Sequence, residues 1–289
     1  MDVMKTVLYL DFVRNRRHYL GFLVKTMAIF LLIFIVSVVV DTVVPGFNYR
    51  YMRWPDIVKN LLAMPSWNHC LYANLWQIAA MVYPFFLIYE MMSGLTDAIL
   101  EEDRLETAVY MRGLSVGRGA VVGGKFLLRV IVLLVSCALL FLENMIFFLF
   151  LDLDRMIAIA GKYAVLLAGV SIFYMMAALF LASFHEEEGR CRSMIQVLLV
   201  LTFLLARLHV VVDFLAELLV MTGRTGIWID TLNKVSSVLG GLDVLAPIVW
   251  CWPNVPLQQA YAAGGVLIAL ICGVTGYSIY VHKKESELV

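Results

Sequence analysis

Long apolar runs broken by short charged or turn-forming stretches dominate this chain. Six of them have the length, about 20 residues, that the hydrocarbon core of a bilayer demands of a helix. They cover residues 21–44, 75–100, 125–151, 162–184, 194–212 and 260–281. The fifth keeps helical periodicity to about Met221. The pattern predicts an all-α polytopic membrane protein whose single transmembrane domain is the whole chain, 1–289.

Residues 1–20 read differently. Val3, Val7, Leu10 and Val13 fall on one helical face, and Asp11, Arg14 and Arg17 on another. Such a helix is expected to lie in the headgroup plane as an amphipathic elbow, its basic end near anionic lipid. No small-residue cleavage site follows an isolated apolar core, so no cleavable leader is expected.

Two long segments, 45–74 and 223–259, carry tryptophans beside prolines, as in Trp54-Pro55, Pro65-Ser66-Trp67 and Trp250-Cys251-Trp252-Pro253. That composition suits chain lying at a membrane interface. The second segment is apolar enough to re-enter the membrane under the cover of other protein.

Lys and Arg set the orientation. One side of the bundle collects about fourteen of them and the other about seven, with Arg207 left inside a span. Both termini are therefore expected in the cytoplasm, in a multi-pass protein of the cell membrane.

Composition agrees: 62% of residues are hydrophobic and 15% charged, where a soluble domain carries about 25% charge. A formal net charge of zero argues against nucleic acid as a partner. The five cysteines show no CxxC spacing. Cys137 and Cys272 fall in apolar runs, and Cys191 in a loop expected on the reducing side. Cys70 and Cys251 fall on the outer side, where pairing is left open. No GxxxxGK[ST] loop is present, so any nucleotide energy has to come from another subunit.

Ionisable residues inside spans are costly, on the order of 2.5–3.5 kcal/mol on insertion scales. Glu90 lies mid-span and is expected to face a cavity or a buried polar partner, and Glu143 lies toward the outer part of the third span. His209, Asp213 and Glu217 follow i, i+4, i+8 and form one stripe on a continuous helix, expected to face water.

The most informative stretch is the charged insert at 101–124, between the second and third runs. Glu101, Glu102, Asp103, Arg104 and Glu106 form a charged turn, and Ala108, Val109 and Met111 keep an apolar side. Gly113, Gly117 and Gly119 then break the helix, and Lys125 opens the next span. The acidic pair Glu101-Glu102, then Leu105-Glu106, then Leu114-Ser115-Val116-Gly117-Arg118, then Gly124-Lys125, resembles the signature of ABC-2-type transporter permeases. Asp103-Arg104 stands where that family often has Gly-Thr, and Ser115 where it often has proline.

The resemblance implies a half-transporter with six spans, an N-terminal elbow and an outer segment between the fifth and sixth spans. It implies a second permease subunit, identical or related, and a cytoplasmic ABC ATPase that holds the ATP and Mg. This chain would carry no cofactor and no catalytic site. It further implies that Glu101, Glu102, Arg104, Glu106, Arg112 and Arg118 couple the insert to that ATPase. The cargo class implied is a peptide, a lipid or a hydrophobic small molecule, and the loop 185–192 would make a minor second contact.

Three other readings use other residues. Glu187-Glu188 with Arg192, and His209 with Asp213, fit the EExxxR and HxxxD patterns of membrane-embedded CAAX-type proteases. No histidine between His185 and His209 supplies that family's intervening motif. An ATP-independent carrier would show broken helices in repeated halves. Pro84 interrupts the second run without a counterpart three spans later. A non-transporting immunity or scaffold protein is the remaining class.

Overall fold

The computed structural model describes residues 2–43, 70–104, 118–182, 188–221, 226–240, 247–251, 269–270, 272–277 and 279. Among the described residues all regular structure is helical. In chain order the helices are α1 (Asp2–Val43), α2 (Leu71–Arg104), α3 (Arg118–Phe150), α4 (Asp154–Ala182), α5 (Glu188–Met221), α6 (Ile227–Gly240) and α7 (Pro247–Trp250).

Among the described residues four stretches are long and apolar enough to cross a membrane: Leu8–Val43, Leu71–Leu100, Val121–Phe150 and Asp154–Ala182. A fifth is formed if Gly189–Leu204 and Leu208–Met221, which meet at 41°, make one crossing. The protein is thus a multi-pass, all-α membrane protein. Of the run expected at 260–281, residues 269–270, 272–277 and 279 are described, and they are helical. The rest of that run, and 45–69, lie outside the described residues.

α1 is one uninterrupted helix of 42 residues, about 60 Å at 1.5 Å per residue. Residues 2–20 therefore continue the span with no break before Gly21. The orientation of this stretch also departs from the expected one. Asp11, assigned to a polar outer face, is buried, whereas Leu10 and Val13 are exposed. Asp11, Tyr19, Phe22, Thr26, Phe30 and Ser37 make the stripe turned toward the bundle. In a lipid solvent the apolar side chains gain nothing by turning inward, whereas a carboxylate does.

α1 packs mainly on α3 and also on α2; α4 packs on α2 and α3, α5 on α2, and α6 on α5. α1 and α3 run parallel. Tyr19 meets Arg129 near one end, and Phe34 stacks on Phe147 at 4.1 Å near the other. Tyr83 of α2 donates to Thr26 Oγ1 at 3.0 Å and meets the Phe30 ring edge-on, which seats α2 beside α1.

The α3–α4 link is much tighter than the span limits 151 and 162 suggest. Leu151–Leu153 reverse the chain, with Asp152 in the left-handed region at φ 54°. Leu153 N–H donates to Phe148 O at 2.8 Å and Asp152 N–H to Leu149 O at 3.3 Å, so carbonyls at the end of α3 are capped. Asp154 in the first turn of α4 suits the positive end of the helix dipole, which is why the helix restarts so early.

Two glycines bring the 269–279 segment onto α4. A Cβ on Gly276 would lie 2.6 Å from the Phe180 Cα, and one on Gly273 would lie 2.9 Å from the Met176 Cβ. Small residues at this spacing permit the close backbone approach on which helix packing in lipid depends.

Candidate functional site

The charged insert joins the last turn of α2 to the first turn of α3, so these two helix ends decide what the insert can move. Glu101, Glu102 and Arg104 lie in the closing turn of α2, and Arg118 opens α3. Glu106 and Arg112 lie outside the described residues. The four described coupling residues thus bracket one place in the fold, the end of the bundle where α1 begins.

Just inside that end, α2 and α3 are tied by two cations on one face of α3. Lys125 Nζ donates to Ala98 O, and Arg129 Nη2 donates to Gly94 O at 2.9 Å. The donors are four residues apart on α3, and so are the acceptors on α2. One helical turn on each side therefore matches the other. Both cations are buried, with Arg129 only 5% exposed. Interhelical bonds of this kind in membrane proteins contribute roughly 0.6–2 kcal/mol each.

Gly94 makes the second bond possible. A Cβ there would stand 2.7 Å from Arg129 Nη1, so the guanidinium occupies the space a larger residue would take. The same guanidinium lies over the Tyr19 ring, 4.7 Å from its centroid. Tyr19 in turn donates its hydroxyl to Asp11 Oδ2 at 2.8 Å, and Asn15 donates to Asp11 Oδ1 at 2.9 Å. The negative charge on α1 is thus relayed to the cation on α3 through an aromatic ring. Arg129 Nε is buried and has no hydrogen-bond partner among the described residues.

Glu90 belongs to this region. It is half-buried on α2, one turn before Gly94, and its charge acts on His18 of α1 together with those of Arg129 and Lys25. On the far side of α2, Arg192 of α5 pairs with Asp97. Cys191, expected in a loop, is instead buried in the first turn of α5, because that helix begins at Glu188.

Glu143 lies away from the insert. It is 6% exposed, and its Oε2 has no hydrogen-bond partner among the described residues. The next residue, Asn144, accepts from the Tyr72 hydroxyl at 2.9 Å and donates to Leu140 O at 2.7 Å. Trp76 Nε1 and the Tyr163 hydroxyl, on rings 5.8 Å apart, are likewise buried without partners among the described residues.

His209, Asp213 and Glu217 do form a stripe along α5, but it does not simply face water: His209 and Asp213 are half-buried and only Glu217 is exposed. α6 lies alongside, and Ser236 donates to His209 O at 3.4 Å. Glu188 and His209, paired in the protease reading, are 21 positions apart on one helix. At 1.5 Å per residue that is about 30 Å, far beyond the reach of one shared water. Among the described residues no group of His, Cys, Asp and Glu could hold a metal ion. Cys70 and Cys251 are free thiols.

The lysine and arginine that tie α2 to α3, with the Asp11–Tyr19 relay behind them, escape a reading for charged patches because their acceptors are backbone carbonyls and a ring. The visible signal is the four-residue spacing of Lys125 and Arg129 inside an otherwise apolar run, facing a helix that offers a glycine. No family model matches the chain, and no curated protein matches it.

Proposed function

We propose that this chain is the membrane-spanning permease subunit of an ATP-driven exporter of the ABC-2 type. Two such subunits, identical or related, form the pathway across six spans each. Separate cytoplasmic ATPase subunits, holding ATP and Mg, supply the energy. Both termini are cytoplasmic, and 223–259 caps the outer mouth. The cargo is a peptide, a lipid or a hydrophobic small molecule, moved by alternating access.

One observation carries this reading. The insert is held between two helices that run on into the bundle without interruption and are locked together about two and three turns inside. A force on 101–118 therefore acts on α2 and α3 as a pair, and through Asp97 it reaches α5. Closure of the ATPase pair displaces the insert, and the paired helices tilt as a unit. No side chain of this chain has to perform bond chemistry. Glu101, Glu102, Arg104, Glu106, Arg112 and Arg118 dock by charge pairing, a contact that added salt would weaken.

Co-purification tests the proposal. An affinity-tagged chain from its native host should bring down a nucleotide-hydrolysing subunit. Reversing Glu102 and Glu106 to lysine should release that subunit while leaving the permease in the membrane. Recovery of the chain without any ATPase, or transport by the chain alone in vesicles, would refute it.

A further inference from the structure

Residues 9–25 of α1 present a surface of one sign. Between Tyr9 and Lys25 the exposed charged side chains are Arg14, Arg16, Arg17 and Lys25, with His18 among them. The single acid of that stretch, Asp11, is 9% exposed and already takes two hydrogen bonds from α1 itself. Arg16, Arg17 and Lys25 form no ion pair among the described residues.

Exposed apolar side chains interleave with these cations. Tyr9 (68% exposed), Leu10, Phe12 and Val13 precede them, and Leu20 and Val24 follow. The same outward face continues through Leu31, Ile35 and Val39 of the span, so its apolar part is continuous with surface that lipid covers.

Depth is set by α3. After Arg129 no charged residue occurs until Glu143, so the Arg129–Tyr19 level marks one edge of the hydrocarbon. Arg16 and Arg17 precede Tyr19 by two and three residues, about 3–5 Å along the axis, which is headgroup depth.

We propose that this part of α1 is a binding surface for anionic phospholipid headgroups of the adjoining leaflet. Arg16 and Arg17 would contact the phosphodiesters, while Leu20 and Val24, on the hydrocarbon side of Tyr19, lie against the acyl chains. Inward burial of Asp11 is what makes the surface selective: turned outward, it would repel the phosphates. The inference stands apart from the transport reading, because retention of lipid needs neither nucleotide nor ATPase.

The test uses the full-length chain in nanodiscs of mixed phosphatidylglycerol and phosphatidylcholine. Lipids retained after release are counted by native mass spectrometry. Wild type should retain phosphatidylglycerol in preference to phosphatidylcholine, and the preference should fall with salt. R16Q/R17Q should lower it about tenfold or more, since each cation near an anionic surface adds several-fold. R16K/R17K, which keeps the charge, should restore it, and R155Q/K234Q, at exposed cations away from α1, should leave it unchanged. Equal retention in wild type and R16Q/R17Q overturns the proposal. So does loss of an ATPase partner from R16Q/R17Q with lipid retention intact, because the surface would then belong to protein. A helical circular-dichroism melt matching wild type confirms that R16Q/R17Q is folded. If it is not, R17Q alone carries the comparison.

Discussion

Arg192 holds both oxygens of Asp97, through Nε at 3.1 Å and Nη2 at 2.8 Å, and so fastens the start of α5 to α2 seven residues before Arg104. The pair is partly exposed, with side chains 48% and 29% accessible, so its contribution to stability is small, about 0.5–1 kcal/mol. D97N and R192Q should each lower stability by no more than that. In a double-mutant cycle the two effects should be coupled. Denaturant titration in detergent measures this; additive losses would show that the bidentate geometry contributes nothing.

Gly94 and Arg129 exclude each other's alternatives. G94A places a methyl where Arg129 Nη1 now lies, 2.7 Å away. The guanidinium must shift, losing its bond to Gly94 O and its seat over Tyr19. We expect a destabilisation of about 1–3 kcal/mol, within the range for overpacking a well-filled site. The double variant G94A/R129M, which removes the long cation, should recover part of the loss. A G94A protein with unchanged melting temperature would contradict this.

The two glycines of the last described segment should differ in tolerance. At Gly276 a Cβ would meet the Phe180 Cα at 2.6 Å, with the Phe180 Cβ and ring also within 3 Å, whereas at Gly273 the nearest atom is the Met176 Cβ at 2.9 Å. G276A should therefore cost more than G273A, about 2 kcal/mol against about 1. Equal melting temperatures for the two variants would count against the close approach of this segment to α4.

Removal of a buried hydroxyl that bonds to nothing should not harm the fold. Y163F keeps the ring that meets Trp76 and deletes an oxygen without a partner among the described residues. The expected change is between zero and about 1 kcal/mol of stabilisation. A clear loss on thermal unfolding would mean that the hydroxyl has a partner in the membrane-embedded protein.

Asp152 offers a backbone test. Its φ of 54° suits glycine and is tolerated by aspartate, whose short polar side chain bonds locally. D152G should be neutral or nearly so, and D152V should lose at least about 1 kcal/mol, since a β-branched residue resists that conformation. Similar behaviour of both variants would argue against a left-handed turn.

The long helices were legible because the apolar runs are long and a bilayer tolerates little else; α2, α3 and α4 fall where hydropathy puts them. What hydropathy hid was geometry at the ends. Asp152-Leu-Asp-Arg155 reads as a polar loop, yet one left-handed residue and an acidic first turn let α4 start eight residues before Lys162. The face of α1 was misassigned because the usual amphipathic rule supposes water on the polar side. For a helix in lipid, the lone acid seeks the protein and the leucines do not. The insert's charges were conspicuous, whereas the devices that would make it effective were not. Lys125 and Arg129 act on carbonyls, and sequence does not reveal which carbonyl a cation will reach.

The parallel pairing of α1 with α3 bears on how the protein is made. α1 emerges first from the ribosome, but the surface that receives Tyr19 and Phe34 belongs to residues 129–147, synthesised about a hundred residues later. Until then the Tyr19 ring lacks the Arg129 guanidinium and Phe34 lacks the Phe147 ring, and α2 alone cannot complete the cover. The insertion machinery must therefore shelter an unfinished pair until its third member arrives, and a nascent chain arrested before Arg129 would remain open to the quality-control proteases of the membrane.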